Sequence, residues 1–547
     1  QQFSEGPPIP LGRAHYLYPP QGRNLFNQQR MVKPFDFKRY SPWAPWFFGV
    51  TTLLLALSLH LSFALEGWDH TIGGPQDFRQ SQTAITAYYI DKEGPALATI
   101  DPVLGPDWRI PFEFPTYQTL VAGLHRVTGI PLDQSGRLVS LLSFYLCLIP
   151  LALLLRELGF DGPFTLLTLA LVTASPTYIF WSRCFLIEGT ALFLALSFAT
   201  ACLAWLRRPR WYLLLAALIL GPLAAVTKFT TFSILFGFMV LWVSVRVFLA
   251  RDQPSRRQWI TLGVFLGLPI LAGLVWNAYI HSIWVQSPLT RYFAEGISQW
   301  NFGSLEQRLS ADFWSRFHES GVGRLVYSAI PLLVTFLAYL VSPARWKLIG
   351  LCLLGAWLSG PIVWANLYYV HDYYYYATAA FGLAWIAGTM AALARRWGNL
   401  RLPLQLALAG LCLWMISRYE ETSYYEAQVN DWGGYKFAFS REVGALTAAG
   451  DVVLILGDSW SPFIPYYAER YAIMQRWPGQ SWSPGFQEAI SRSEAEGRPV
   501  SAAVYTDDPA YANDRAFLTR KFNLDPEPAA VSEDGRFFLH LQKPKED

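Results

Sequence analysis

Between Trp68 and Ala87 the chain reads Trp-Asp-His-Thr-Ile-Gly-Gly-Pro-Gln-Asp-Phe-Arg-Gln-Ser-Gln-Thr-Ala-Ile-Thr-Ala. A carboxylate at Asp77, polar neighbours Asp69, His70, Arg79 and Gln80, and Glu113 further on follow directly after an apolar run of bilayer-spanning length. Arg183, Glu188, Lys228, His371 and Asp372 fall at the ends of later apolar runs. Ionisable groups at such depths are costly unless paired or hydrated, so they are candidates for function. A carboxylate facing several cations at a lipid surface suits group transfer from a lipid phosphate. The cations neutralise the departing phosphate, and the carboxylate takes the proton of an acceptor hydroxyl. One base suits displacement with inversion. The plainer alternatives are that Asp77 and Gln80 form a capping box, that Arg183 and Lys228 snorkel to the interface, that Arg183 and Glu188 pair with each other, and that Tyr373–Tyr376 is an aromatic belt.

The elements that must position these residues are read from hydropathy. Of 547 residues 53% are hydrophobic and 15% charged, and the apolar residues come in long runs, which indicates a polytopic α-helical membrane protein. Spans are expected near 45–65, 138–155, 163–181, 185–205, 211–227, 229–249, 259–280, 324–342, 347–369, 374–394 and 402–418, about 11 in all. Arg207, Arg208 and Arg210; Arg251, Arg256 and Arg257; Arg345 and Lys347; and Arg395, Arg396 and Arg401 fall in alternate short loops. By the positive-inside rule this places residues 1–44, with Arg13, Arg23, Arg30, Lys33, Lys38 and Arg39, in a cytoplasmic tail and the C-terminus outside.

The transmembrane region is thus 45–418, with extracytoplasmic loops 66–137 and 281–323. Gly73-Gly74-Pro75 reads as a turn and Phe78–Ile90 as a helix on the membrane interface. From 419 to 547 the charge density rises, and short strands (Val452–Leu456, Ala502–Tyr505, Phe537–Leu541) alternate with helical stretches (Pro462–Tyr471, Gly485–Ser493). That pattern predicts an extracytoplasmic α/β domain. A net charge of +3 gives no reason to expect nucleic acid, and five cysteines, all in or beside apolar runs, imply no disulfide framework or cysteine metal site.

The order His70, Asp77-Phe-Arg-Gln80, Thr83-Ala84, Glu113-Phe-Pro115-x-Tyr117 and Gly136-Arg137-Leu138 resembles bacterial integral-membrane glycosyltransferases of the type C fold. The similarity is to the group of protein O-mannosyltransferases and lipid A aminoarabinose transferases, glycosyltransferase family 39. Ser175-Pro176, Ser182-Arg183 with Glu188, Lys228-Phe-Thr and His371-x-Tyr373-Tyr374 look like its later motifs, and the likeness covers about residues 45–395. The resemblance implies a polyprenyl-phosphate sugar as donor, transfer on the extracytoplasmic face of the bacterial cytoplasmic membrane, and a glycan, lipid or protein acceptor. It implies Asp77 as catalytic residue and Arg183, Lys228, His371 and Tyr374 around the donor phosphate. Asp69, His70, Arg79, Gln80, Glu113 and Glu188 would hold the acceptor or orient the cations. Many members carry Asp-Glu in the first loop where this chain has Asp77-Phe78. A divalent metal is compatible with the family but is not predicted here.

The reading is therefore an inverting, lipid-phosphate-sugar-dependent glycosyltransferase. A transporter or flippase of lipid-linked sugars would call for inverted repeats with helices broken at mid-membrane, whereas the ionisable residues here lie at span ends. A non-catalytic scaffold subunit need keep no base.

Overall fold

The computed structural model describes residues 44–249 and 254–544. The basic residues of the N-terminal tail and Arg251 lie outside them. Seven described helices are long and apolar enough to cross a membrane: Pro45–Leu65, Leu132–Glu157, Glu188–Arg207, Phe229–Phe248, Arg256–Trp284, Ala344–Val363 and Gly398–Ser417. An eighth span results if Ala311–Val326 and Ala329–Leu340, bent by 84° to each other, are taken together.

The other expected spans are helices of a different kind, and local chemistry explains two of the breaks. The 163–181 run divides into Gly162–Ala174 and Pro176–Trp181, because Pro176 forces Ser175 into extended backbone (ψ 132°). Near 327 the bend coincides with Tyr327 in the left-handed region (φ 58°). Trp211–Thr227 is a shorter apolar helix. Residues 372–377 form a 3₁₀ turn before the helix Ala379–Arg396, which is buried as far as Ala394. Arg256–Trp284 starts on a capping box in which Ser255 and Gln258 satisfy each other's backbone N–H groups.

On one end of this bundle sit the first loop and the C-terminal residues. Four helices frame the loop: α1 (Ala44–Leu65), α2 (Asp77–Glu93), α3 (Thr116–Thr128) and α4 (Leu132–Glu157). The sheet has five strands, β1 (Val452–Leu456), β2 (Tyr471–Gln475), β3 (Val500–Thr506), β4 (Ala530–Val531) and β5 (Phe537–Leu541), in the order β2-β1-β3-β5-β4. β1 runs parallel to β2 and β3, and β5 antiparallel to β3 and β4. Strands β1 and β2 are buried throughout, as befits parallel strands covered on both faces. β2 replaces the end of the helical stretch expected at Pro462–Tyr471, and the helix there is Phe463–Ala468.

The edge of β2 is covered by the first loop. Ala472 and Met474 donate their N–H groups to the carbonyls of Pro102 and Val103 at 2.8 and 2.9 Å, and Leu104 bridges Ile473. An edge that would otherwise template foreign strands is thereby closed within the chain. Asp133 at the start of α4 accepts from both Tyr466 and Tyr467 hydroxyls at 2.6 Å, and Thr71 donates to Asp431 at 2.6 Å. Helix α2, expected on the lipid interface, is instead buried along Gln80–Ala87. It packs against α3 and Phe463–Ala468, because the sheet region covers the loop.

Candidate functional site

At the junction of loop and bundle four charged side chains meet. Lys228 occupies an extended link (φ −160°, ψ 96°) between Trp211–Thr227 and the following helix, and its ammonium pairs with Glu188, the first residue of Glu188–Arg207. Both side chains are almost wholly buried. The Lys228 Nζ also lies 5.1 and 4.6 Å from the ring centroids of Tyr373 and Tyr374, a cation–π arrangement. From α2, Arg79 pairs with Glu113 and donates to Gln82. Burial opposes the charge of Arg79, but Glu113 above all, then Tyr373, Tyr374 and Glu188, hold it firmly cationic. The segment bearing Glu113 is tied to the helix before Lys228, since Phe114 N–H donates to Val226 O at 3.0 Å and the hydroxyls of Thr116 and Thr227 share a 2.8 Å bond.

His371, between Ala365–Val370 and the 3₁₀ turn, completes the group. Its Nδ1 lies 2.9 Å from Gln76 Oε1 and its ring stacks on Tyr373 at 5.3 Å. Burial, reinforced by Arg79 and Lys228, lowers it to about 4. The ring is therefore neutral at neutral pH, with Nδ1–H donating to the amide oxygen and the Nε2 lone pair available to a proton.

Lys228 spends one of three N–H donors on Glu188 and Arg79 two of five on Glu113 and Gln82, so both keep donors for an anion. Gln76, unmarked by any feature of its local sequence, faces His371 from the left-handed region (φ 59°, ψ 34°), a sparsely populated conformation for a side-chain-bearing residue. Among the described residues no three His, Cys, Asp or Glu side chains are arranged to hold a metal ion.

Asp77 is the first residue of α2 and not its cap. Gln76 holds the cap position, and Asp77 Oδ1 accepts from the N–H of Phe78 at 2.7 Å. Gln80 forms no capping box; it donates to Pro75 O at 3.2 Å and accepts from Phe185 N–H at 3.1 Å, fixing the loop to the bundle. Two residues apart on a helix, Asp77 and Arg79 project in nearly opposite directions. The neighbour of Asp77, Phe78, meets Trp460 edge-on at 4.7 Å, and the charge of Asp77 is felt at Asp458 on the sheet side. Asp458, after β1, pairs with Lys436 at 2.9 Å. Burial raises the Asp458 carboxyl above its ordinary range; Lys436 opposes this, and the charge of Asp77 adds to it.

Arg183 stands apart from Glu188 and Lys228. It donates to Gly67 O at 2.8 Å, and Arg137 donates to the same carbonyl at 2.8 Å and to Trp68 O and Thr71 O at 2.6 and 2.8 Å. The two arginines grip the start of the first loop, where Gly67 adopts a positive φ of 56°. Burial and the neighbouring Arg137 lower Arg183 to about 10. His70 lies 3.2 Å from Gln428 O in the same knot, and Asp69 is exposed. The structure thus gathers Arg79, Glu113, Glu188, Lys228, His371 and Tyr374 in one cluster, sets Asp77 at the adjoining helix start, places Arg183, His70 and Gln80 in contacts with the loop or its surroundings, and leaves Asp69 exposed.

No family model and no curated protein sequence matches the chain. Solved structures do. ArnT from Cupriavidus metallidurans bound to undecaprenyl phosphate superposes with a TM-score of 0.60 at 11% identity, over 92% of this chain and 100% of that one. The Archaeoglobus fulgidus oligosaccharyltransferase tethered to an acceptor peptide containing the NVT sequon gives 0.52 at 11% identity, over 92% and 75% of the two chains. The arabinofuranosyltransferase AftD from Mycobacteria gives 0.52 at 14% identity, over 90% of this chain but 40% of its own length. The architecture is that of the type C glycosyltransferases: a helical membrane bundle with a small sheet domain on one end.

Proposed function

We propose that this chain, built on the type C glycosyltransferase fold, moves a sugar from a polyprenyl-phosphate donor to an acceptor hydroxyl, with inversion, on the extracytoplasmic side of a bacterial cytoplasmic membrane. The observation that carries the reading is the cluster of Arg79, Lys228, Tyr373, Tyr374 and neutral His371 at the end of the bundle, adjoining the start of α2. Lys228 and Arg79 retain N–H donors for a phosphate diester, and their carboxylate partners keep them fixed before the donor arrives. The bound undecaprenyl phosphate of the Cupriavidus protein supports a donor of this class.

In the reaction the acceptor oxygen attacks the anomeric carbon as the bond from that carbon to the phosphate oxygen breaks. The electron pair leaves with the polyprenyl phosphate, whose added charge falls on Arg79 and Lys228. The proton of the acceptor hydroxyl passes to Asp77. His371, kept neutral by burial and the two cations, holds Gln76 and with it the start of α2 against the cluster. The acceptor, whether glycan, lipid or protein, approaches from the side of the sheet, where the charge of Asp77 is felt. The basic alternate loops support the orientation proposed for the membrane, and membrane lipid is the surrounding partner.

The test is to incubate purified protein with a panel of radiolabelled polyprenyl-phosphate sugars and envelope extract. Transfer of label from one of them is expected. Neither transfer nor slow hydrolysis of any, with protein shown to be folded, would overturn the assignment.

A further inference from the structure

Behind the Arg79–Glu113 pair lies a small polar cavity walled by α2, α3 and the loop strand at Thr99–Asp101, with room of about 10 Å³, enough for one water-sized group. On side chains at least 95% buried, Gln118 Oε1 and a carboxyl oxygen of Asp101 have no hydrogen-bond partner there, while the other Asp101 oxygen lies opposite the Gln82 amide. Buried polar groups are nearly always satisfied, and unpartnered atoms lining a single space indicate a guest. The guest must both donate and accept, because the wall offers an amide N–H₂ on one side and oxygen acceptors on the other. The cavity shares Arg79 with the phosphate cluster, and the sugar of a phosphodiester donor is only one oxygen away from the phosphate. Burial lifts Asp101 to about 8, outweighing the nearby Gln82 amide and Arg79 guanidinium, so at neutral pH the carboxyl itself offers one donor and one acceptor.

Resting on the donor reading above, we propose that the Gln82–Asp101–Gln118 cavity receives one hydroxyl of the donor's sugar and selects the sugar by it. A site built to hydrogen-bond a hydroxyl rejects the analogue that lacks it, because its own buried groups are then left unpaired. The surrounding architecture keeps the cavity rigid. Asp101 N–H donates to Trp108 O at 2.9 Å, and Pro102 and Val103 are fastened to β2.

The experiment measures binding of polyprenyl phosphate alone, and of polyprenyl-phosphate glucose, mannose, galactose and arabinofuranose, to the full-length protein in nanodiscs. Wild type is compared with Gln118→Met, which keeps volume and removes the acceptor, and with Asp101→Asn. For the best-bound sugar lipid Gln118→Met is expected to lose about tenfold or more in affinity, and Asp101→Asn, which like the neutral carboxyl keeps a donor and an acceptor, a smaller part of that, with binding of polyprenyl phosphate unchanged. The deoxy analogue lacking the selected hydroxyl should bind wild type and variants alike. Unchanged sugar-lipid affinity in both variants would overturn the proposal and leave the cavity to a resident water, as would sugar lipids that bind wild type no better than polyprenyl phosphate. Failure of polyprenyl phosphate itself to bind would sink the donor reading and this inference with it, and is told apart by that arm alone. Gln118→Met decides the matter should Asp101→Asn not fold.

Discussion

Lys228 and Glu188, 40 residues apart in sequence, form an ion pair whose side chains are 4% and 3% exposed. Removing one partner of such a pair strands the other charge, whereas removing both together can be nearly neutral. Lys228→Met alone should therefore lower stability by about 3–5 kcal/mol. Lys228→Met combined with Glu188→Gln should recover most of that loss in thermal unfolding. The double variant should still bind polyprenyl phosphate more weakly by about 1.5–3 kcal/mol, the scale of a hydrogen bond to a charged group. A double variant with native donor affinity would show that Lys228 serves the fold alone.

Arg183 gives the opposite expectation. One of its N–H groups donates to Gly67 O, so Arg183→Met should lower the melting temperature, with a loss of about 1.5–3 kcal/mol. Donor affinity of the folded fraction should stay at the wild-type value, and Arg183→Lys should restore part of the stability. A variant that melts normally but binds donor poorly would return Arg183 to the phosphate.

Much of this was legible in the sequence, for reasons that also mark the limit. Long apolar runs and the polar residues at their ends identify the bundle and the end that carries the chemistry, so Lys228, His371, Glu113 and Glu188 could be singled out from position alone. Pairings could not. Arg183 is near Glu188 in sequence, yet Glu188 goes to Lys228 from another helix and Arg183 to a backbone carbonyl. The cap of α2 lies one residue before the position that the capping-box alternative assigns to Asp77, a common cap residue, and the left-handed turn at Gln76 has no signature in Gly-Gly-Pro-Gln. β2 was hidden because Tyr471–Gln475 is short and follows a helix without a marked turn. Asp101 reads as an ordinary loop residue, and only the folded chain brings it to Gln82 and Gln118.

Asp101 also predicts a pH dependence of stability. Its carboxyl rises to about 8 in the folded protein from an unfolded value of 3.8, so between those values the folded state holds a proton that the unfolded state has lost. Stability from this group is fully present below the unfolded value and declines as pH rises to about 8. The limiting slope is about 1.4 kcal/mol per pH unit. Thermal unfolding followed from pH 5 to 8 should show this decline in wild type and a flatter profile in Asp101→Asn. Equal slopes in the two proteins would mean that Asp101 is ionised in the folded state.

The last prediction concerns Asp77. As first residue of α2 it contributes charge near the helix N-terminus but no cap, so either Asp77→Asn or Asp77→Ala should cost about 0.3–1 kcal/mol of stability. If Asp77 takes the acceptor proton, both should lose turnover by about 10²-fold or more, the range for loss of acid–base catalysis. Polyprenyl-phosphate affinity should be retained, because Arg79 and Lys228 remain paired to Glu113 and Glu188. The Asn variant is the decisive one, since it keeps shape and hydrogen-bonding capacity and removes only the base. The comparison is to be made at equal amounts of folded protein, with Phe78→Ala alongside to separate disturbance of the Phe78–Trp460 contact from loss of the carboxylate. Near-normal turnover in a well-folded Asn variant would refute Asp77 as base. Asp458, the carboxylate after β1 that feels its charge, would then be the group to substitute next.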